Sequence, residues 1–182
     1  MPSLFSPPNL LTCVRIALTP FIVLALIANN CTQAFWMCLI AGFTDAADGY
    51  LARKMSQESR VGAYLDPIAD KFLLTALYLC FGIANLAPWW LVWLVIGRDA
   101  MILSLAAGGL FWKGIRDFPP TTSGKISTLL QIATSLGVIS QCAYGVSPGL
   151  IRGLIYATAI STVWSGIQYL RRAIRSMSAV SR

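Results

Sequence analysis

The chain has 182 residues, 57% of them hydrophobic and 12% charged, with a net charge of +7 and no histidine. A soluble domain carries roughly twice that charged fraction, so the composition excludes an ordinary water-soluble enzyme and points to a polytopic membrane protein built as a single domain over residues 1–182. The basic residues are scattered, which argues against a nucleic-acid partner, and any acid–base work falls to carboxylates, lysine or tyrosine.

A short proline-containing lead, residues 1–9, precedes a first apolar segment over 10–28 that is long enough to span a bilayer. Arg15 lies about a turn inside it, where its long stem permits either snorkelling to the surface or facing a cavity. The lead has no basic residues, so no cleavable signal peptide is expected. After a polar turn over 29–33, the second span is predicted at 34–54, with Asp45 and Asp48 in its C-terminal half. A polar loop over 55–60 leads to the third span, 61–85, which carries Asp66 and Asp70 near its start. Pro67 is tolerated there, close to the helix start.

The fourth span, 89–113, opens with Trp89, Trp90 and Trp93 and closes with Trp112, an aromatic belt around an internal Arg98-Asp99 pair. A loop with Pro119 and Pro120 leads to a fifth span, 124–144, and a turn over 145–148 to a sixth, 149–170, followed by Arg171, Arg172, Arg175 and Arg182. The five cysteines, Cys13, Cys31, Cys38, Cys80 and Cys142, show no paired spacing and read as small core or lipid-facing residues. Six spans put both termini on one side. Lys54, Arg60, Lys113, Arg116 and the basic tail fall on that side, and Arg152 on the other. The positive-inside rule makes the common side cytoplasmic, and the acidic residues of spans two and three lie at that end.

Those acids are the chemistry. Five of the seven acidic residues occupy the stretch 45–70, and four of them, Asp45, Asp48, Asp66 and Asp70, fall inside the predicted spans. A carboxylate in hydrocarbon costs ~2.5–3.5 kcal/mol on insertion scales. Asp45 and Asp48 are i,i+3, and Gly49, Ala52 and Arg53 extend their face; Gly62, Asp66 and Asp70 are successive i+4 steps on the next helix. Two antiparallel helices would bring the acid pairs face to face, where they cannot all stay ionised unaided. All-oxygen donors favour Mg²⁺, Mn²⁺ or Ca²⁺ over Zn²⁺, and two such ions form a clamp for phosphoryl chemistry. Gly49, Ala52 and Gly62 strip side chains from the acidic face, and Arg53 suits a phosphate. Arg53, Arg98 and Lys71 are the alternative neutralisers, and a cation transporter or channel is the rival class.

The pattern Asp45, Asp48, Gly49, Ala52, Arg53, Gly62, Asp66, Asp70 resembles the signature of the CDP-alcohol phosphatidyltransferase family at every defining position. The segment Pro8-Asn9-Leu10-Leu11-Thr12 with Arg15, and the string from Leu65 to Lys71, are similar to that family too. The resemblance implies transfer of a phosphatidyl group from CDP-diacylglycerol to a glycerol-type hydroxyl, with CMP leaving. It implies that Asp45, Asp48, Asp66 and Asp70 hold two Mg²⁺ or Mn²⁺ ions, that Asp70 is also the general base, and that Gly49, Ala52, Arg53 and Gly62 seat the nucleotide. It implies a homodimer in the membrane, expected to be a bacterial inner membrane with the site facing the cytoplasm.

Arg98, Arg116 and Lys125 are the candidates for an acceptor or lipid phosphate. Phosphatidylglycerophosphate synthases of the family usually have Arg-Glu in span four, an arginine two turns on, and Gly-Lys-x-Lys-Thr opening span five. Here the matching residues are Arg98-Asp99, Ala106 and Gly124-Lys125-Ile126-Ser127-Thr128. Fewer cations suit a small dianion less well, so phosphatidylglycerol is the expected acceptor and glycerol 3-phosphate the alternative.

Overall fold

The computed structural model describes the backbone of residues 7–55, 62–113 and 122–180, and the side chains of residues 14–44, 71–105 and 122–174. It holds six helices and, among the described residues, no strand: α1 Pro7–Ile27, α2 Cys31–Met55, α3 Gly62–Ile83, α4 Trp89–Lys113, α5 Thr122–Tyr144 and α6 Pro148–Val180. All six expected segments are helical. α1 begins three residues early because Pro7 and Pro8 suit a helix N-terminus, where a missing amide hydrogen costs nothing. α6 runs ten residues past the expected end at 170, so its 33 residues reach roughly 50 Å at 1.5 Å per residue, beyond a ~30 Å hydrocarbon core. The helices α5 (Thr122–Tyr144) and α6 (over Pro148–Ile174) are each long and apolar enough to cross a membrane.

The turns α1–α2, α3–α4 and α5–α6 use left-handed caps. Asn29 (φ 58°), Asn85 (φ 56°) and Gly145 (φ 69°) follow the last turns of α1, α3 and α5. The Asn30 amide donates to the Ala25 carbonyl at 2.8 Å and the Leu86 amide to Phe81 at 2.8 Å, closing each helix end. Asparagine and glycine enter this region at little cost, which is why these short links hold.

The helices pack in a closed ring, α1–α2–α5–α6–α4–α3 and back to α1, and a further α3–α5 contact crosses it. That contact divides the bundle in two. One half, walled by α1, α2, α5 and α3, is mainly apolar, with Ile22, Leu26, Ala34, Cys38, Leu77 and Phe81 buried. The other, walled by α3, α4, α6 and α5, is threaded with polar side chains. Along the α5–α6 seam Ser123 donates to Gln168 (2.6 Å), Ser127 meets Thr162 (3.3 Å) and Thr134 meets Thr158 (2.7 Å). Small polar side chains allow close approach and satisfy one another where lipid offers no partner. The outward faces are apolar: Phe21, Trp36, Phe43, Trp93, Leu129, Ile160 and Trp164 are exposed.

The cysteine expectation holds at Cys38 and Cys80 and needs correcting at Cys31 and Cys142, while the side chain of Cys13 lies outside the described residues. Cys31, at the start of α2, and Cys142, at the end of α5, form a disulfide with Cα atoms 5.7 Å apart, while Cys38 and Cys80 are free and buried. The two bridged residues are 111 apart in sequence. Their proximity comes from the packing of α2 along α5, which spacing alone does not reveal.

Candidate functional site

The eight motif positions lie on two helices. Asp45, Asp48, Gly49, Ala52 and Arg53 occupy the C-terminal half of α2; Gly62, Asp66 and Asp70 occupy the first turns of α3. Their side chains lie outside the described residues, as does Arg116. α1 packs against both α2 and α3, so the two motif-bearing helices share a neighbour.

The described side chains begin again at Lys71, the residue after Asp70. Its ammonium lies 2.7 Å from Asp99 Oδ2 on α4. The other carboxylate oxygen, Oδ1, accepts from Arg98 Nη1 at 2.6 Å. Arg98 Nη2 in turn donates to Ser165 Oγ on α6 at 2.8 Å, and the guanidinium sits 5.8 Å from the centre of the Tyr169 ring. Arg98 and Asp99 are 7% and 5% exposed. One buried carboxylate thus joins two cations from α3 and α4, and the arginine carries the link to α6. A buried charge is tolerable when paired and hydrogen-bonded in this way.

This arrangement tests the fit of the motif to divalent ions. Arg98 and Lys71, two of the three residues able to neutralise the aspartates, both engage Asp99. The four motif carboxylates form an oxygen-only donor set with i,i+3 and i,i+4 register on two helices, the chemistry hard divalent cations require. The residues present fit the group. Among the described residues, no other cluster of His, Cys, Asp or Glu side chains has that capacity.

Of the three acceptor-phosphate candidates, Arg98 is engaged as above and Lys125 is exposed on the first turns of α5. Arg15 is resolved in favour of the interior: it is 1% exposed and lines a pocket of about 310 Å³ in the apolar half of the bundle. Trp89, Trp90 and Trp93 are exposed at the start of α4, as a belt requires. The sequence reading missed Ser165 and Tyr169. They sit one helical turn apart on α6, and that i,i+4 spacing was the available signal, though nothing in it names Arg98 as the partner.

Comparison with known proteins agrees with the motif. The family model for CDP-alcohol phosphatidyltransferases matches residues 5–164. A cardiolipin synthase (CMP-forming)/mitochondrial hydrolase fusion protein of Schizosaccharomyces pombe is 32% identical, over 92% of this chain and 31% of that protein. The human cardiolipin synthase (CMP-forming) is 26% identical, over 95% of this chain and 63% of its own length. A CDP-diacylglycerol–glycerol-3-phosphate 3-phosphatidyltransferase of Haemophilus influenzae is 33% identical, over 95% of this chain and 96% of the relative. The chain spans less than two thirds of the length of these two cardiolipin synthases and nearly all of the Haemophilus enzyme. With the family model covering most of its length and the eight-position signature complete on α2 and α3, the chain belongs to the CDP-alcohol phosphatidyltransferase family.

Proposed function

We propose that the protein is a multi-pass membrane enzyme that transfers a phosphatidyl group from CDP-diacylglycerol to a glycerol-type hydroxyl and releases CMP. The observation that carries this is the complete acidic signature on the C-terminal half of α2 and the first turns of α3, within a family match over residues 5–164. The acceptor hydroxyl attacks the phosphorus that bears the diacylglycerol. A new P–O bond forms, the bond to the bridging diphosphate oxygen breaks, and CMP carries that oxygen away.

Asp45, Asp48, Asp66 and Asp70 would hold two Mg²⁺ or Mn²⁺ ions. Bound there, the ions supply positive charge against the diphosphate and the developing charge on the leaving phosphate. Asp70 takes the proton from the attacking hydroxyl. Gly49, Ala52 and Gly62 leave room for the nucleotide against the helix backbone, and Arg53 pairs with its phosphate. Lys71 follows Asp70 directly and is tied to Asp99, which fixes the start of α3 against α4.

The favoured acceptor is phosphatidylglycerol, giving a cardiolipin-type product. Its support is the naming of the synthase relatives and the engagement of Arg98 with Asp99 and Ser165, which takes one cation from a small dianion's reach. Glycerol 3-phosphate is the second reading, favoured by the end-to-end match to the Haemophilus enzyme. A cation pathway is disfavoured because Asp99, the buried acid among the described residues, is locked to Lys71 and Arg98. Six spans over one domain, residues 1–182, both termini in the cytoplasm and a bacterial inner membrane complete the proposal. Its support is the side-to-side imbalance of basic residues, together with a disulfide joining the opposite ends of α2 and α5. A homodimer follows from the family resemblance alone.

Purified protein given CDP-diacylglycerol, Mg²⁺ and either acceptor is expected to release CMP, and chelation is expected to stop it. Asp70→Asn should lower turnover by at least 10³-fold while CMP still binds. No CMP release with any glycerol-type acceptor would remove the enzyme reading, and full turnover by Asp70→Asn would remove the base.

A further inference from the structure

Two polar ties on one stripe of α3 hold that helix against its neighbours. The Lys71 ammonium reaches Asp99 Oδ2 on α4 at 2.7 Å, and the Tyr78 hydroxyl donates to the Gln131 carbonyl on α5 at 3.2 Å. At ~100° per residue, Lys71 and Tyr78 lie within roughly 20° of one another around the helix. Asp99, Tyr78 and Gln131 are all buried. Asp99 is held from behind as well, because Arg98 bonds its other oxygen and reaches Ser165 on α6. Hydrophobic packing is non-directional and leaves a helix free to turn slightly about its axis. A buried polar tie resists that turn, since breaking it leaves its groups unpaired.

The rotation so set decides where the acid stripe of α3 stands. Positions 70 and 66 fall roughly 100° and 140° round the axis from Lys71, and Leu77 and Leu73 fall roughly 120° and 160° round in the same sense, all on one stripe. On α2, Cys38, Ala41, Asp45 and Asp48 occupy positions within roughly 80° of one another. Cys38 and Ala41 from the first stripe, and Leu73 and Leu77 from the second, line one pocket. α2 and α3 stand diagonally across it, each packed on α1 and α5. Helical register continues both stripes from these shared walls to the four motif positions.

Resting on the reading of the four acids as metal ligands, we propose that Asp99 is a positioning residue for phosphatidyl transfer: through Lys71 it sets the rotation of α3, and so brings positions 66 and 70 to face positions 45 and 48. The margin is narrow. Side-chain tips lie roughly 5–6 Å from a helix axis, so a turn of ~10° moves them ~1 Å, whereas metal–ligand distances hold to about 0.2 Å. Asp99 acts here through Lys71 and touches neither ion nor substrate.

Manganese binding followed by electron paramagnetic resonance on the purified protein in detergent tests this without turnover. Lys71→Met is the decisive variant. It removes a positive charge beside Asp70, so simple electrostatics would tighten Mn²⁺ binding; the positioning role requires it to weaken, by at least fivefold. Asp99→Asn is expected to weaken it similarly, Asp99→Glu less, and the double variant Lys71→Met with Asp99→Asn no more than the worse single change, because the pair acts as one unit. Gly145→Val, which strains the cap of α5 away from the motif, should leave Mn²⁺ affinity within twofold. KM for phosphatidylglycerol should stay within twofold in Lys71→Met.

Unchanged or tighter Mn²⁺ binding in Lys71→Met overturns the proposal. An equal loss in Gly145→Val overturns it too, since general loosening of the fold would then be the cause. So does a raised acceptor KM with Mn²⁺ affinity intact, which would assign the Arg98-Asp99 pair to the acceptor. If Asp99→Asn does not fold, Lys71→Met decides. If the unaltered protein binds no Mn²⁺, the metal reading fails and the positioning role with it. If it binds Mn²⁺ but releases no CMP with any acceptor, the transfer reading fails and the role of Asp99 in that transfer falls with it.

Discussion

Asp99 has the most demanding position among the described side chains: buried, and bonded to cations on its own helix and on α3. Removing one partner of such a group leaves charges uncompensated, at ~3–5 kcal/mol, whereas replacing a whole pair with apolar side chains is often nearly neutral. Asp99→Asn should therefore lower the melting temperature sharply, and Arg98→Met with Asp99→Leu should lower it less than Asp99→Asn alone. A melt in which the double variant fared worse would mean that the Ser165 and Tyr169 contacts, not charge balance, dominate. How legible this was differs by residue. Charges stand out in a sequence dominated by hydrocarbon, so the four motif aspartates and the Arg98-Asp99 pair could be read directly. Ser165 and Tyr169 could not, because a serine and a tyrosine in an apolar run are ordinary, and their partner depends on how α4 crosses α6.

The helices themselves were largely visible in the sequence, since each span is a long apolar run bounded by polar or proline-containing turns. Their ends were less visible. α6 outruns its apolar stretch because Arg171, Arg172 and the residues after them remain good helix formers once the hydrophobic run stops. Caps are where a single residue decides an element. Gly145 holds φ at +69° after α5. A β-branched side chain is strained there, so Gly145→Val should cost ~1–2 kcal/mol, measured as a lower melting midpoint, while Asn29→Gly at the matching cap of α1 should be close to neutral. Equal losses at the two positions would show that the turns are held by packing and not by backbone conformation. α3 is the element with most to lose: Lys71 ties it to α4, and Leu73 and Leu77 face the Arg15 pocket.

For the whole molecule, orientation is the property that two unrelated features address. Basic residues gather at the end that carries the acid motif, and the Cys31–Cys142 bridge ties the opposite ends of α2 and α5. Disulfides persist in oxidising compartments. In intact cells, a membrane-impermeant maleimide should label Cys31 and Cys142 only after an impermeant reductant has been added from outside, and the double serine variant should show no such labelling. Labelling confined to permeabilised cells would invert the topology. Neither cysteine could have been matched from sequence, because only the ring order of the helices brings the two together.

The same bridge records the progress of biogenesis. Its first sulfur is threaded with the second helix and its second arrives with the end of the fifth, so closure must wait until that helix has been delivered. A nascent chain halted earlier carries a lone thiol there, and only a finished one runs as the compact, crosslinked band on a non-reducing gel.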